Sequence, residues 1–327
     1  MSGALPEGWT LSASAFNWTP EVIHADQTAA ALAVGVVSGG VAKVIEVEAG
    51  QVWRSYPAPS DAEVDALRDA LTQAGGSVSI VGASIDEWAP DGHRRDDDER
   101  LAFLLPQLRA ASRLGAQGVR LPIGQAGPDL LRRLQPVLHD LEITWFEEAQ
   151  GSQTPTAAGP AAQVIADLAD PRIRLLVDIS MLMPALPVSY LALLEQSALP
   201  RDLVGRLTDE WQDPATHAAV LAAIPEGSRV PHYMDMVVRF GRSRASDLRE
   251  WLPLIGAFHL KFWDLDDSDG RVTTPIRELG TELAGTGFTG TLCSEWGGHA
   301  WLDDDAAVIT TQHLALARAA LAEGAAV

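Results

Sequence analysis

Short apolar runs alternate with longer amphipathic ones along almost the whole chain. The segment 10–16 (TLSASAF) reads as a first strand and 41–48 (VAKVIEVE) as a second, after a helix expected from Pro20 to Val37. Apolar residues at helical spacing then fill 61–75 and stop at Gly75 and Gly76, the usual punctuation of a helix C-terminus. SVSIVGAS (77–84), GVRLPIG (118–124), EITWFEEAQ (142–150) and IRLLVDIS (173–180) follow as strands three to six, separated by helical patterns at 99–115, 127–141 and 160–170. FHLKFWDL (258–265) and GTLCSEWG (290–297) are strands seven and eight, and a last helix spans 305–324. Eight such alternations predict an α/β fold, a (β/α)8 TIM barrel over 1–327, with an insertion around 185–255 because Met181 to Leu254 is longer than one helix. A doubly wound open sheet is the competing arrangement, but no G-x-G-x-x-G follows the first strand.

The seventh strand carries a conflict within its own pattern. Side chains alternate across a sheet, so His259, Lys261 and Trp263 share one face while Phe258, Leu260 and Phe262 take the other. An apolar strand thus presents a titratable pair on one side.

Composition narrows the class. At 47% hydrophobic and 21% charged residues the chain has ample material for a core. The formal charge of −20, from 44 acidic against 24 basic residues, argues against nucleic acid and anionic membranes as partners. A single cysteine, Cys293, rules out an internal disulfide and suits a cytoplasmic location. Neither a signal-peptide layout nor an apolar run of membrane-spanning length is found. Ten tryptophans stand against three tyrosines; Trp88, Trp145, Trp263, Trp296 and Trp301 fall in or just after strands, where flat faces suit sugar rings or aromatic groups.

In a barrel the chemistry gathers at the carboxyl ends of the strands. Glu148 ends strand five, Asp178 strand six, His259 lies in strand seven and Glu295 ends strand eight. Three carboxylates and an imidazole converging in a semi-buried cavity call for a cation between them. Oxygen-rich ligation suits Mn2+ or Mg2+, with Zn2+ or Co2+ also compatible. Glu147, beside Glu148, is the alternative ligand, with Glu148 preferred because AQG breaks into loop after it, and Asp178 also suits a helix N-cap. His232, His299, Glu148 and Glu295 are candidates for proton transfer. Arg120 sits at the end of strand four without a basic cluster around it, so a neutral or oxidised sugar is expected rather than a phosphorylated one.

These motifs resemble the xylose isomerase-like barrel superfamily, which includes sugar isomerases and 3-epimerases. The matching residues are EAQG at 148–151, Asp178, HLKFWD at 259–264 and Glu295. The resemblance implies that Glu148, Asp178, His259 and Glu295 hold a metal and that Lys261 steadies substrate oxygens. Met181 stands where epimerases of this group often carry a histidine. Acidic and rich in tryptophan, the chain looks most like the large (α) subunit of bacterial C-glycoside deglycosidases. By that resemblance it is a metal-dependent lyase that cleaves 3-oxo-glycosides together with a small β subunit, with Arg120, Trp263, Trp296 and Trp301 against the substrate. The alternatives are a sugar isomerase or 3-epimerase acting on free ketoses, and a non-catalytic sugar-binding barrel.

Overall fold

The computed structural model describes residues 4–224, 227, 231 and 234–326. Eight parallel strands close into a barrel in chain order: β1 (Trp9–Ser14), β2 (Val44–Glu48), β3 (Ser77–Gly82), β4 (Gly118–Pro122), β5 (Thr144–Ala149), β6 (Ile173–Asp178), β7 (Ile255–Phe262) and β8 (Gly290–Trp296). Closure comes from β8 pairing with β1, Trp9 opposite Gly290 through Ala13 opposite Ser294. The (β/α)8 expectation holds, with all eight strands at or within a few residues of where the alternation placed them.

Helix boundaries follow local chemistry. Ser60 and Glu63 form a reciprocal capping box ahead of the helix Asp61–Gln73, and Asp96 with Glu99 does the same for Asp97–Leu114, each satisfying N–H groups the first turn leaves open. One helix departs from expectation. Instead of a continuous helix from Pro20 to Val37, the chain forms Thr19–His24 and Ala29–Ser38. Ala25 turns left-handed (φ 57°) and Thr28 caps the second helix through its side chain. An interior polar triplet, Asp26-Gln27-Thr28, favours this break over helix continuation.

Alternation along each strand sorts the core into two layers. Trp145, Val177, Phe258, Leu260, Phe262 and Leu292 point outward and pack in the large apolar shell beneath the helices. Ile80, Phe146, Leu176 and Ala257 form a separate plug, on the strand face shared with Glu148, Asp178 and His259. The barrel interior is therefore apolar below and charged at the carboxyl end.

Between β6 and β7 the described residues form helices Val188–Glu195, Arg201–Asp209, Pro214–Ala222 and Asp235–Arg239. They share their own apolar cluster, including Leu186, Tyr190, Leu194, Leu207, Trp211 and Val237, which meets the barrel at Trp263. Asp264 anchors this segment: its carboxylate accepts from the backbone N–H of Ser189 at 2.9 Å and from the Ser189 hydroxyl at 2.5 Å.

Candidate active site

Four strand ends bring Glu148, Asp178, His259 and Glu295 together, with one potential ligand atom from each within 4.8 Å of all the others. All four side chains are buried. His259 is the hub. Its Nδ1 lies 2.5 Å from Glu295 Oε2 and 3.1 Å from Glu148 Oε1. Yet both His259 Nδ1 and Glu295 Oε2 are buried without a properly directed hydrogen-bond partner. Two buried ligand-type atoms left unpaired side by side are what a cation site offers. The donor set of three carboxylates and one imidazole nitrogen fits a divalent ion.

The structure adds a residue that reading the sequence missed. Glu46 Oε2 lies 3.0 Å from His259 Nε2. A carboxylate there takes the Nε2–H, so that the neutral imidazole a cation would bind carries its lone pair on Nδ1, the nitrogen beside Glu148 and Glu295. Glu48, one strand period further along β2, also points inward, and Arg120 bonds both of them and Glu148. Gly82 makes room for this, since a Cβ at that position would collide with the Glu48 carboxylate. Arg120 faces the interior as its position suggested, and its guanidinium is engaged by Glu46, Glu48 and Glu148.

Electrostatics follow from these pairs. Burial works against a charged His259, but Glu295, Glu46 and Glu148 together push its pKa well above the usual imidazole value. Burial also opposes ionisation of Glu295, and His259 and Lys261 overcome it to hold that carboxyl well below the usual range. Asp178 is raised to about 6 by burial, with Lys261 opposing. It also caps the turn Ile179–Leu182 through a bond from Ser180 N–H of 2.7 Å, so the capping and cluster readings of this residue coexist.

Glu147 lies on the opposite face of β5, where it accepts from the Trp145 indole at 2.6 Å and from the Gly124 N–H at 2.6 Å. Burial pushes its pKa up to about 7. Parity thus places Glu148, and not Glu147, in the cluster.

Lys261 Nζ bonds Glu295 Oε1 at 2.6 Å and sits 4.3 Å from the Phe16 ring centroid. Beyond it Trp263, His299 and Trp301 line a cavity. His299 is half-buried, its ring 4.8 Å from that of Phe16. Burial, then the charge of Lys261, pushes its pKa below the ordinary value. Trp296, expected at the substrate, is not among the residues that line this cavity and meets it only through an edge-on contact with His299, ring centroids 5.5 Å apart. Its ring belongs to the outer apolar shell, 1% exposed, with Nε1 donating to the Trp263 carbonyl at 2.8 Å. His232 lies outside the described residues.

The closed barrel places the chain in a recognised architecture. It superposes on a D-psicose 3-epimerase crystallised with D-fructose with a TM-score of 0.59, at 15% identity over 96% of this chain and 99% of that one. A xylose isomerase domain protein from Alicyclobacillus acidocaldarius gives 0.54, at 15% identity over 97% and 98%. No family profile matches the sequence.

More particular are the curated relatives. The chain is 26% identical to the C-glycoside deglycosidase alpha subunit of Arthrobacter globiformis, over 97% of its own length and 94% of the relative's. To the 3'-dehydrocarminate deglycosidase alpha subunit of a Microbacterium species it is 24% identical over 84% of each. The resemblance drawn from EAQG, Asp178, HLKFWD and Glu295 is borne out.

Proposed function

We propose that the protein is the metal-dependent α subunit of a lyase that splits the carbon–carbon bond between a 3-oxo sugar and a phenolic aglycone, working with a small β subunit. The observation that carries this reading is the four-residue cluster around His259, in a chain similar to C-glycoside deglycosidase alpha subunits over 97% of its length. Glu148, Asp178, His259 and Glu295 would hold the ion, with Mn2+ or Mg2+ favoured by the oxygen donors. When bound, such an ion supplies positive charge beside a ketone and its neighbouring hydroxyl and so makes the adjacent carbon more acidic.

The chain's own groups supply the rest. Lys261, already at hydrogen-bond distance from Glu295, holds a second positive charge against oxygens that become negative as the proton leaves. Glu148 and Glu295, 3.1 and 2.5 Å from His259 Nδ1, would carry that proton. Removal of the proton from the carbon next to the ketone leaves an electron pair that becomes a carbon–carbon double bond as the bond to the aglycone breaks. The released aglycone carbon takes up a proton, so the reaction is an elimination without a redox partner.

The test uses the purified chain, a co-encoded small subunit and Mn2+, with 3-oxo C-glycosides and their unoxidised parents as substrates. Chromatography is expected to show free aglycone from the oxidised compounds alone, because without the ketone the carbon acid is too weak. Conversion of free ketoses to their epimers, with no aglycone released from any glycoside, would overturn the proposal.

A further inference from the structure

Next to the cluster, on the far side of Lys261, lies a cavity of about 330 Å³. That volume falls within the range of pockets that enclose most of a drug-sized molecule. Two aromatic pairs form its walls: Tyr190 with Trp301, ring centroids 5.2 Å apart, and Phe240 with Trp263, 5.1 Å apart. Each pair joins a residue of the segment between β6 and β7, Tyr190 or Phe240, to one that follows a barrel strand, Trp301 after β8 or Trp263 after β7. The Trp301 indole is held by a bond to Ser189 Oγ of 3.0 Å, so it is a fixed surface and not a mobile flap.

A polar atom with no partner marks the inner end. His299 Nε2 is buried and makes no hydrogen bond, although its imidazole lines the cavity. Leaving such a group unpaired is costly, and a ligand hydroxyl would satisfy it. The charged residues that line it are Lys261, bonded to Glu295 of the cluster, and Asp235 and Arg239, bonded to each other at 2.9 Å.

We propose that this cavity is the binding site for the planar, hydroxylated aromatic half of the substrate, with Trp301 and Phe240 as its walls and His299 Nε2 as the partner of a phenolic hydroxyl. The inference rests on the proposed lyase reading, since only a glycoside carries both halves. It places the sugar over the carboxylates and the bond to be broken beside Lys261. It also makes His299 and Trp301 determinants of specificity.

Binding of the aromatic half can be measured without turnover. Isothermal titration calorimetry of the full chain with 2-naphthol, decahydro-2-naphthol and naphthalene separates flatness from the hydroxyl. The expected result is at least about tenfold tighter binding of 2-naphthol than of the saturated alcohol. Ala300→Trp, which fills the exposed rim without touching the core, should abolish that binding. His299→Ala should reduce the preference for 2-naphthol over naphthalene by about fivefold, the value of one neutral hydrogen bond, with an unchanged thermal unfolding curve as its fold control. No preference for the flat probe, or full binding in Ala300→Trp, overturns the site. A chain that binds the probe in this pattern but releases no aglycone upholds the cavity and overturns the reaction instead.

Discussion

Replacing Glu46 tests whether the inner carboxylate orients the imidazole of the cluster. Glu46 touches no proposed ligand atom on the cavity side; its partner is His259 Nε2, 3.0 Å away, with Arg120 Nε at 3.4 Å. In Glu46→Gln the amide oxygen can still accept from Nε2–H, so the tautomer survives and only the charge is lost. Outer-shell partners of this kind are worth about 10–100-fold in metal affinity. The glutamine variant should fall at the low end, about tenfold or roughly 1.4 kcal/mol. Glu46→Leu loses the acceptor as well, and about a hundredfold is expected, or roughly 2.7 kcal/mol. Glu48→Gln is the control, because Glu48 reaches the cluster only through Arg120; its effect should be clearly smaller. Mn2+ affinity is read by competition with a fluorescent chelator. Equal affinities in wild type and Glu46→Leu, or an equal loss in Glu48→Gln, would show that the carboxylate does not act through His259.

Lys261→Met should keep its metal by elemental analysis while kcat drops by about a hundredfold, the usual loss for one group facing developing negative charge; unchanged kcat would leave Lys261 as a partner of Glu295 only. Trp296→Phe removes a buried hydrogen bond to the Trp263 carbonyl and should cost about 2 kcal/mol in chemical denaturation with KM unchanged, whereas a raised KM would return this ring to the substrate. His313 is wholly buried against Phe262, and burial holds its pKa at about 3. The unfolded chain takes up this proton near pH 6.5 and the folded one does not, so stability falls as pH drops from 6.5 toward 3. His313→Gln should therefore lose less stability than wild type between pH 7 and pH 5, by about 2 kcal/mol, and parallel curves for the two proteins would rule this out.

The strands were legible because each is a short apolar run bounded by turn residues, and the seventh showed its two faces through His259 and Lys261 alone. Parity was harder to read. In β5 both Trp145 and Phe146 are apolar, so alternation does not say which of Glu147 and Glu148 faces inward; the loop break AQG after Glu148 was the local hint, and pairing with β4 and β6 fixes the face. For Trp296 the signal was present and unused, because a residue adjacent to an inward Glu295 must point outward. Glu46 and Glu48 in VIEVE alternate with Val47 as the solvent face of an ordinary sheet would. In a closed barrel no such face exists, since the outer side of the strand lies beneath helices, and an acidic alternation in β2 has to end up inside. The αL turn at Ala25 had no glycine to announce it.

The helices between β6 and β7 rest on a cluster of their own and meet the barrel at Trp263, while the carboxylates stand on the strands. Tyr190 and Phe240 thus reach the cavity from a separately packed segment, while Trp263, His299 and Trp301 reach it from the strand ends beside the carboxylates. Drift or recombination within that segment can reshape its part of the cavity while the eight-strand ladder and its inner charges stay as they are. Under the proposed lyase reading, such changes would alter the grip on the aromatic half and leave the proton chemistry in place.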